Sequence, residues 1–166
     1  MAGSMAQWAL GDLEQELAST RRVLERVPTA RWDWRPHEKS WTLGQLATHL
    51  ARIPSWPTAM CGADVFDLAT LPKDAPLPAD PAAVLALFDA NVAALKTAMA
   101  TTDDALLQRP WTLRMGDHVL MTLPTVAAIR MWGISHQIHH RGQLTVYLRL
   151  IDAPVPGLYG PSADER

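Results

Sequence analysis

His136-Gln137-Ile138-His139-His140-Arg141-Gly142-Gln143-Leu144 is the stretch on which the reading of this chain turns. It lies inside a run from about Thr125 to Leu150 that reads as helix and is opened by Pro124. Three of the six histidines fall within five residues. His136 and His140 are four apart, so on a helix they share one face with Cβ atoms about 5–6 Å apart. Two imidazoles at that spacing can close on one metal ion, each nitrogen about 2.0–2.1 Å away. The plainer alternative is a pair of core or solvated histidines hydrogen-bonded to neighbours. The same face carries Ala128, Ile129, Trp132, Gly133, Gln143 and Tyr147, where an imidazole without a partner costs about 1–3 kcal/mol. A metal or a carboxylate would remove that cost, and no Asp or Glu occurs between Thr122 and Ile151. The pair still needs a third ligand from elsewhere.

Working outward, residues 5–27 read as an amphipathic helix, with Leu10, Leu13, Leu17, Leu24 and Val27 at spacings of three, four or seven. Ser4 stands where it can cap this helix and Pro28 ends it. The following loop, Thr29 to Ser40, contains Arg31-Trp32-Asp33-Trp34-Arg35-Pro36 and is too aromatic for a plain solvated linker. Thr42 followed three residues on by Gln45 is a capping-box pattern that starts a second helix. Leu43, Leu46, His49, Leu50 and Ile53 form its apolar stripe, so His49 faces the interior. Pro54 and Pro57 predict a kink, with helix resuming to about Cys61. From Gly62 to Asp80 periodicity is lost, and Pro72, Pro76 and Pro78 keep the longest loop extended. Asp80-Pro81 opens a third helix as N-cap and first turn, with Val84, Leu85, Phe88, Val92, Leu95 and Met99 on its buried face. Trp111 to Met121 alternates around Gly116-Asp117, a hairpin signal that a tight loop would also satisfy. The tail from Ala153 to Gly160 is too rich in proline and glycine for regular helix. Four amphipathic helices predict an all-α, four-helix bundle with a long connection between helices two and three and a short hairpin before helix four.

The 166 residues fit one domain, taken here as 1–166, large enough to need no disulfide staples. The net charge of -2 is scattered, which argues against nucleic acid and its clustered Lys/Arg footprint. The lone Cys61 forms no internal disulfide and fits a reducing, cytoplasmic compartment. No signal-peptide pattern and no apolar run near 18 residues is read, so no membrane span is expected. Seven tryptophans (Trp8, Trp32, Trp34, Trp41, Trp56, Trp111 and Trp132) point to a flat-walled cavity or interface.

His49 is the third candidate ligand, because helix two can pack on helix four as bundle metal sites require. Three neutral imidazoles leave a divalent ion with an open position, the arrangement of catalytic sites. Zinc, nickel, copper and iron all suit such ligands, with zinc the usual choice. His139 can substitute only as an i, i+3 partner of His136. His37 and His118 are expected exposed, and Cys61, about 18 Å along an unkinked helix from His49, is a poor ligand. Trp132 lies one turn before His136 and Trp56 two turns after His49. Each alone reads as core packing, while together they can wall a pocket floored by the metal. No inward carboxylate is available as general base, but a metal-bound water can supply its own nucleophile, since its pKa falls to about 7. Zinc acts on a thiol in the same way.

The helix-four segment resembles the signature of the DinB-like superfamily, often described as metal-dependent hydrolases. Trp34-Arg35-Pro36, Ser40 to Leu46 leading to His49, and Pro156 to Ser162 match in order, so the resemblance covers almost the whole chain. It implies an up-up-down-down four-helix bundle, commonly a homodimer, with a divalent metal, zinc or nickel, on His49, His136 and His140. Relatives include mycothiol- and bacillithiol-dependent transferases and isomerases. The expected function is therefore an enzyme whose metal activates a low-molecular-weight thiol or water against a small-molecule substrate, with transferase or hydrolase outcome. The alternative is a non-catalytic bundle that binds a metal or small ligand.

Overall fold

The computed structural model of the chain describes residues 4, 10–71 and 76–165. The expected helix from residue 5 therefore falls partly outside the described residues, as does Trp8. Helix α1 spans Leu13–Leu24 with Asp12 at its N-cap, and the predicted stripe Leu10, Leu13, Leu17, Leu24 and Val27 is buried throughout. The aromatic loop that follows folds back onto the start of the next helix: the backbone N–H groups of Leu43 and Gly44 donate to the carbonyls of Trp34 and Trp32.

Helix α2, Leu43–Arg52, begins at the capping box that Thr42 and Gln45 promise. Gln45 N–H donates to the Thr42 hydroxyl at 3.1 Å and Thr42 N–H to Gln45 Oε1 at 2.8 Å. The two prolines do more than kink the helix. Ile53 and Pro54 form a turn, and a separate helix α3 runs over Ser55–Gly62. Proline lacks the donor and crowds the preceding turn, so one hydrogen-bonded ladder cannot run through.

The stretch expected to be a featureless loop contains strand β1, Val65–Asp67, and a 3₁₀ turn, Leu68–Thr70. Three residues are too few to show alternation, and β1 exists only because it pairs in parallel with a distant strand, Val65 opposite Thr112. Helix α4, Pro81–Ala100, has the Asp80 cap, whose carboxylate accepts from Ala83 N–H at 2.8 Å, and proline in its first turn. By length and composition it is apolar enough to cross a membrane, with mean hydropathy 1.4 in its best window. No run of that length was expected from the sequence, because its apolar character comes largely from alanines. Ala82, Ala86, Ala90, Ala93, Ala94 and Ala100 are exposed, whereas Val84, Phe88 and Leu95 are buried.

A short helix α5, Asp104–Gln108, leads into strands β2, Pro110–Met115, and β3, His118–Pro124. They form the expected hairpin, with Gly116 at φ +59°, a left-handed conformation in which a side chain is disfavoured. The sheet order is β1-β2-β3. The last helical run is uninterrupted but not uniform. Thr125–Ala128 is α-helical (α6), Ile129–Ser135 is wound as a π-helix, and His136–Leu150 is α-helical again (α7).

The molecule is thus mostly helical with a small three-stranded sheet. Helices α1 and α2 each pack against both α4 and α7. One hydrophobic cluster draws Leu13 and Leu17 from α1, Leu46 and Leu50 from α2, Phe88 from α4 and Leu144 and Leu148 from α7. The tail is irregular up to a 3₁₀ turn at Ala163–Glu165. It is held by Asp164, whose carboxylate accepts from Arg149 at 2.6 Å and from Val155 N–H at 2.8 Å. Arg149 and that backbone donor lower the Asp164 carboxyl to about 2.

Candidate metal centre

Packing of α2 on α7 carries His49 to the histidine pair. The ligand nitrogens of His49, His136 and His140 lie within 4.8 Å of one another, and His49 Nε2 is 2.9 Å from His136 Nε2. Ring centroids are 4.4 Å apart for His49 and His140 and 4.5 Å for His136 and His140. Nitrogens this close can share one ion at about 2.0–2.1 Å from each. Among the described residues, no other group of three His, Cys, Asp or Glu side chains converges in this way.

The surroundings lower the pKa of all three rings, which favours their uncharged form. Burial, then the neighbouring His140 and His136 and Arg52, push His49 down to about 3. Burial, then His140 and His139, push His136 down to about 4. His140 is lowered by burial, with the Gln143 hydrogen bond opposing. Neutral imidazole is the form that donates a lone pair to a metal.

Gln143 fixes which lone pair His140 offers. Gln143 Oε1 lies 2.7 Å from His140 Nδ1. A carbonyl oxygen can only accept, so Nδ1 carries the proton and Nε2 stays free. The same amide reaches back through its NH₂ to His139 Nε2 at 3.1 Å. His139 is exposed and outside the cluster, and so are His37 and His118. Cys61 is also outside it, half-buried with its Sγ 3.8 Å from Met99 Sδ.

Three tryptophans wall the histidines. Trp56 lies 5.2 Å from His136 and 5.6 Å from His49, centroid to centroid, and Trp132 lies 5.5 Å from His136. The two indoles meet each other at 6.3 Å. Both pocket residues expected from the sequence are therefore beside the histidines. Their meeting depends on Gly133: a Cβ there would come within 2.5 Å of Pro57 Cγ, so the π-helical turn and α3 approach through a missing side chain. The third tryptophan, Trp41, was not anticipated at the site. It stacks on His140 at 5.6 Å and 25°, and touches His49 at 4.9 Å. The only clue lies in the capping box, which places Trp41 just ahead of the helix that carries His49. Tyr147 secures it by donating its hydroxyl to the Trp41 carbonyl at 3.2 Å.

Outside the histidines lies an open cleft of about 490 Å³, bordered by Lys39, Trp41, His140, Gln143 and Tyr147. On the face of α7 turned toward α1, Arg141 makes a buried ion pair that the sequence reading did not foresee. Its Nη2 donates to Glu16 Oε2 at 2.5 Å and to the Tyr159 hydroxyl at 2.6 Å, and Nη1 donates to the Glu16 carbonyl at 2.9 Å. Tyr159 in turn donates to Glu16 Oε2 at 2.8 Å.

Fold and site together define a helical domain with a three-histidine cluster built across two segments, a set of ligands suited to one metal ion. The family is settled by comparison: the DinB family profile matches residues 8–166, and the chain belongs to that family. It is 30% identical over 156 residues to the uncharacterized protein YrdA of Bacillus subtilis, an alignment covering 92% of this chain and 86% of that one. In fold it is similar to a DinB-like protein from Bacillus cereus ATCC 10987 (TM-score 0.73, 24% identity, 96% of this chain and 100% of that chain). A DinB-like protein, YjoA, from Bacillus subtilis is also similar (TM-score 0.66, 13% identity, 96% of this chain and 99% of that chain).

Proposed function

We propose that this protein is a metal-dependent enzyme in which His49, His136 and His140 hold one divalent ion, zinc or nickel. The observation that carries this reading is the convergence of three imidazoles, one from α2 and two from α7, within 4.8 Å. When bound, such an ion lowers the pKa of a coordinated water or thiol and supplies a nucleophile near neutral pH. The chain's own residues do the rest. Gln143 orients His140, and Trp41, Trp56 and Trp132 pack around the ring cluster. The cleft beside Lys39 has the room for a low-molecular-weight thiol, and it is membership of the DinB family that tilts this reading toward thiol transfer over hydrolysis. We also take the mutual packing of α1, α2, α4 and α7 as the up-up-down-down four-helix bundle of one domain, and the working form as a cytoplasmic homodimer. The exposed alanines of α4 offer a surface for a second copy.

Elemental analysis of untagged protein tests the metal. Near-stoichiometric metal that is lost in His49→Ala supports the reading, and substoichiometric metal unchanged by that substitution removes it. A panel of thiols with alkylating and ester substrates then separates the two classes of reaction. Bound metal without turnover on any of them favours the second reading, a non-catalytic metal- or ligand-binding protein. That reading draws on the absence of any carboxylate from the histidine cluster among the described residues.

A further inference from the structure

Beside Trp56 and Trp132 lies a second, partly open cavity of about 130 Å³, which shares no lining residue with the Lys39 cleft. Its wall is apolar. Trp56 and Met60 come from α3, Phe66 from β1, Trp111 and Leu113 from β2, and Leu68 and Leu71 from the 3₁₀ turn and its end. The indole N–H groups of Trp111 and Trp132 are buried and have no acceptor among the described residues, yet no polar atom opens onto the cavity. Water needs two to four polar partners to be held in such a space, so the cavity has nothing with which to retain it. Protein interiors are otherwise packed to the density of organic crystals, with few voids larger than a water. An apolar cavity of roughly 150 Å³ stays dry and takes up benzene. On the sheet side its wall is Phe66 of β1 and Trp111 of β2, whose rings lie 6.4 Å apart.

The position of the cavity gives it a use. Trp56 and Trp132 line the cavity and also lie 5.2 and 5.5 Å from His136, so the same two indoles border both the cavity and the histidines. We infer that this cavity is a binding subsite for a compact uncharged hydrocarbon group, of about the size of a benzene ring, carried by the substrate that reacts at the histidines. The site is then two-sided. A polar partner enters past Lys39, and the apolar partner is anchored beside the tryptophans. This inference rests on the enzymatic reading for the word substrate, but the binding itself does not require a metal.

Benzene is the probe, with benzoate as the charged control. Full-length protein is titrated with each, both metal-free and after zinc loading, and binding is followed by tryptophan fluorescence and by thermal shift. Metal content is measured on the same samples. Saturable benzene binding in both forms is expected, with no comparable binding of benzoate, whose charge would be buried without a partner. Leu68→Trp and Leu71→Trp, at the rim of the cavity, should each weaken benzene at least fivefold while leaving metal content unchanged. Leu71 is 43% exposed, so the second variant keeps the test open if the first does not fold. Absence of saturable benzene binding, equal affinity in the folded rim variants, or benzoate as tight as benzene would overturn the subsite. Benzene binding to protein that never takes up metal would leave the subsite standing and remove the metal-based enzyme. Metal uptake without benzene binding would remove the subsite alone.

Discussion

Gln143 is the smallest part of the centre with a separable effect. Its amide oxygen accepts from His140 Nδ1 at 2.7 Å and so selects the ring nitrogen left for a metal. Partners of this kind typically contribute 10–100-fold in metal affinity. Gln143→Leu is therefore expected to weaken zinc binding by about 10–100-fold in a competition titration with a chromophoric chelator, while Gln143→Glu retains most of it. The histidines also carry a pH signature. In metal-free protein His49 titrates at about 3 and His136 at about 4, both below the 6.5 of a free side chain. Between those values the unfolded chain binds protons that the folded chain refuses, so stability falls as pH drops from 6.5 toward 3 and is insensitive to these groups above 6.5. Urea midpoints of metal-free protein should show that slope, and His49→Ala should flatten it. At this scale the sequence was legible where spacing alone decides: an i, i+4 pair on one helix and a third histidine inside the apolar stripe of another. It was silent on Trp41 and on the tautomer of His140, because both depend on how a loop folds back and not on periodicity.

Between elements, the joint that stands out is α1 to α7. Arg141 is 1% exposed and Glu16 5%, and together with Tyr159 they close a hydrogen-bonded triangle that also holds the tail. Removing one member leaves a charge buried without its partner, at about 3–5 kcal/mol. Arg141→Ala should show that loss in urea unfolding, whereas replacing Arg141 and Glu16 together by Met and Leu should cost much less. The second joint is Gly133 against Pro57. Gly133→Ala forces a Cβ to 2.5 Å from Pro57 Cγ, so α3 must shift. A destabilisation of about 1–3 kcal/mol is expected from overpacking, with a change in the fluorescence contributed by Trp56 and Trp132. Neither joint was visible beforehand, since a buried ion pair spans 125 residues of sequence and a close approach leaves only a glycine as its trace. The elements that were visible announce themselves locally: the Thr42/Gln45 box, the Asp80-Pro81 start and the Gly116 turn. Strand β1 was missed because its only support is the remote β2.

For the whole molecule, a ligand that binds only the folded state stabilises it by mass action, by about 2.7 kcal/mol at a hundred times its dissociation constant. Zinc added to metal-free protein should therefore raise Tm by several degrees, a rise that EDTA reverses and that His136→Ala abolishes. Helix packing and sheet contribute unequally to this outcome. Helices α2 and α7 supply all three histidines, whereas the sheet supplies none of them and lines the neighbouring cavity.

The π-helical turn at Ile129–Ser135 has a consequence for how this chain tolerates change in length. Its bonds reach one residue farther than those of an α-helix, so the segment holds a residue that an ordinary helix would not accommodate. Deleting one position there would remove that extra residue and let the ladder tighten to α-helical bonds, with the flanking helices α6 and α7 keeping their facing. His136 and His140 would keep their mutual spacing, but a loss between Trp132 and His136 would bring those two residues from four apart to three and shift the indole against the imidazole. A single-codon loss at Ile134 or Ser135 thus leaves the histidine pair of α7 intact and disturbs one of the indoles beside it.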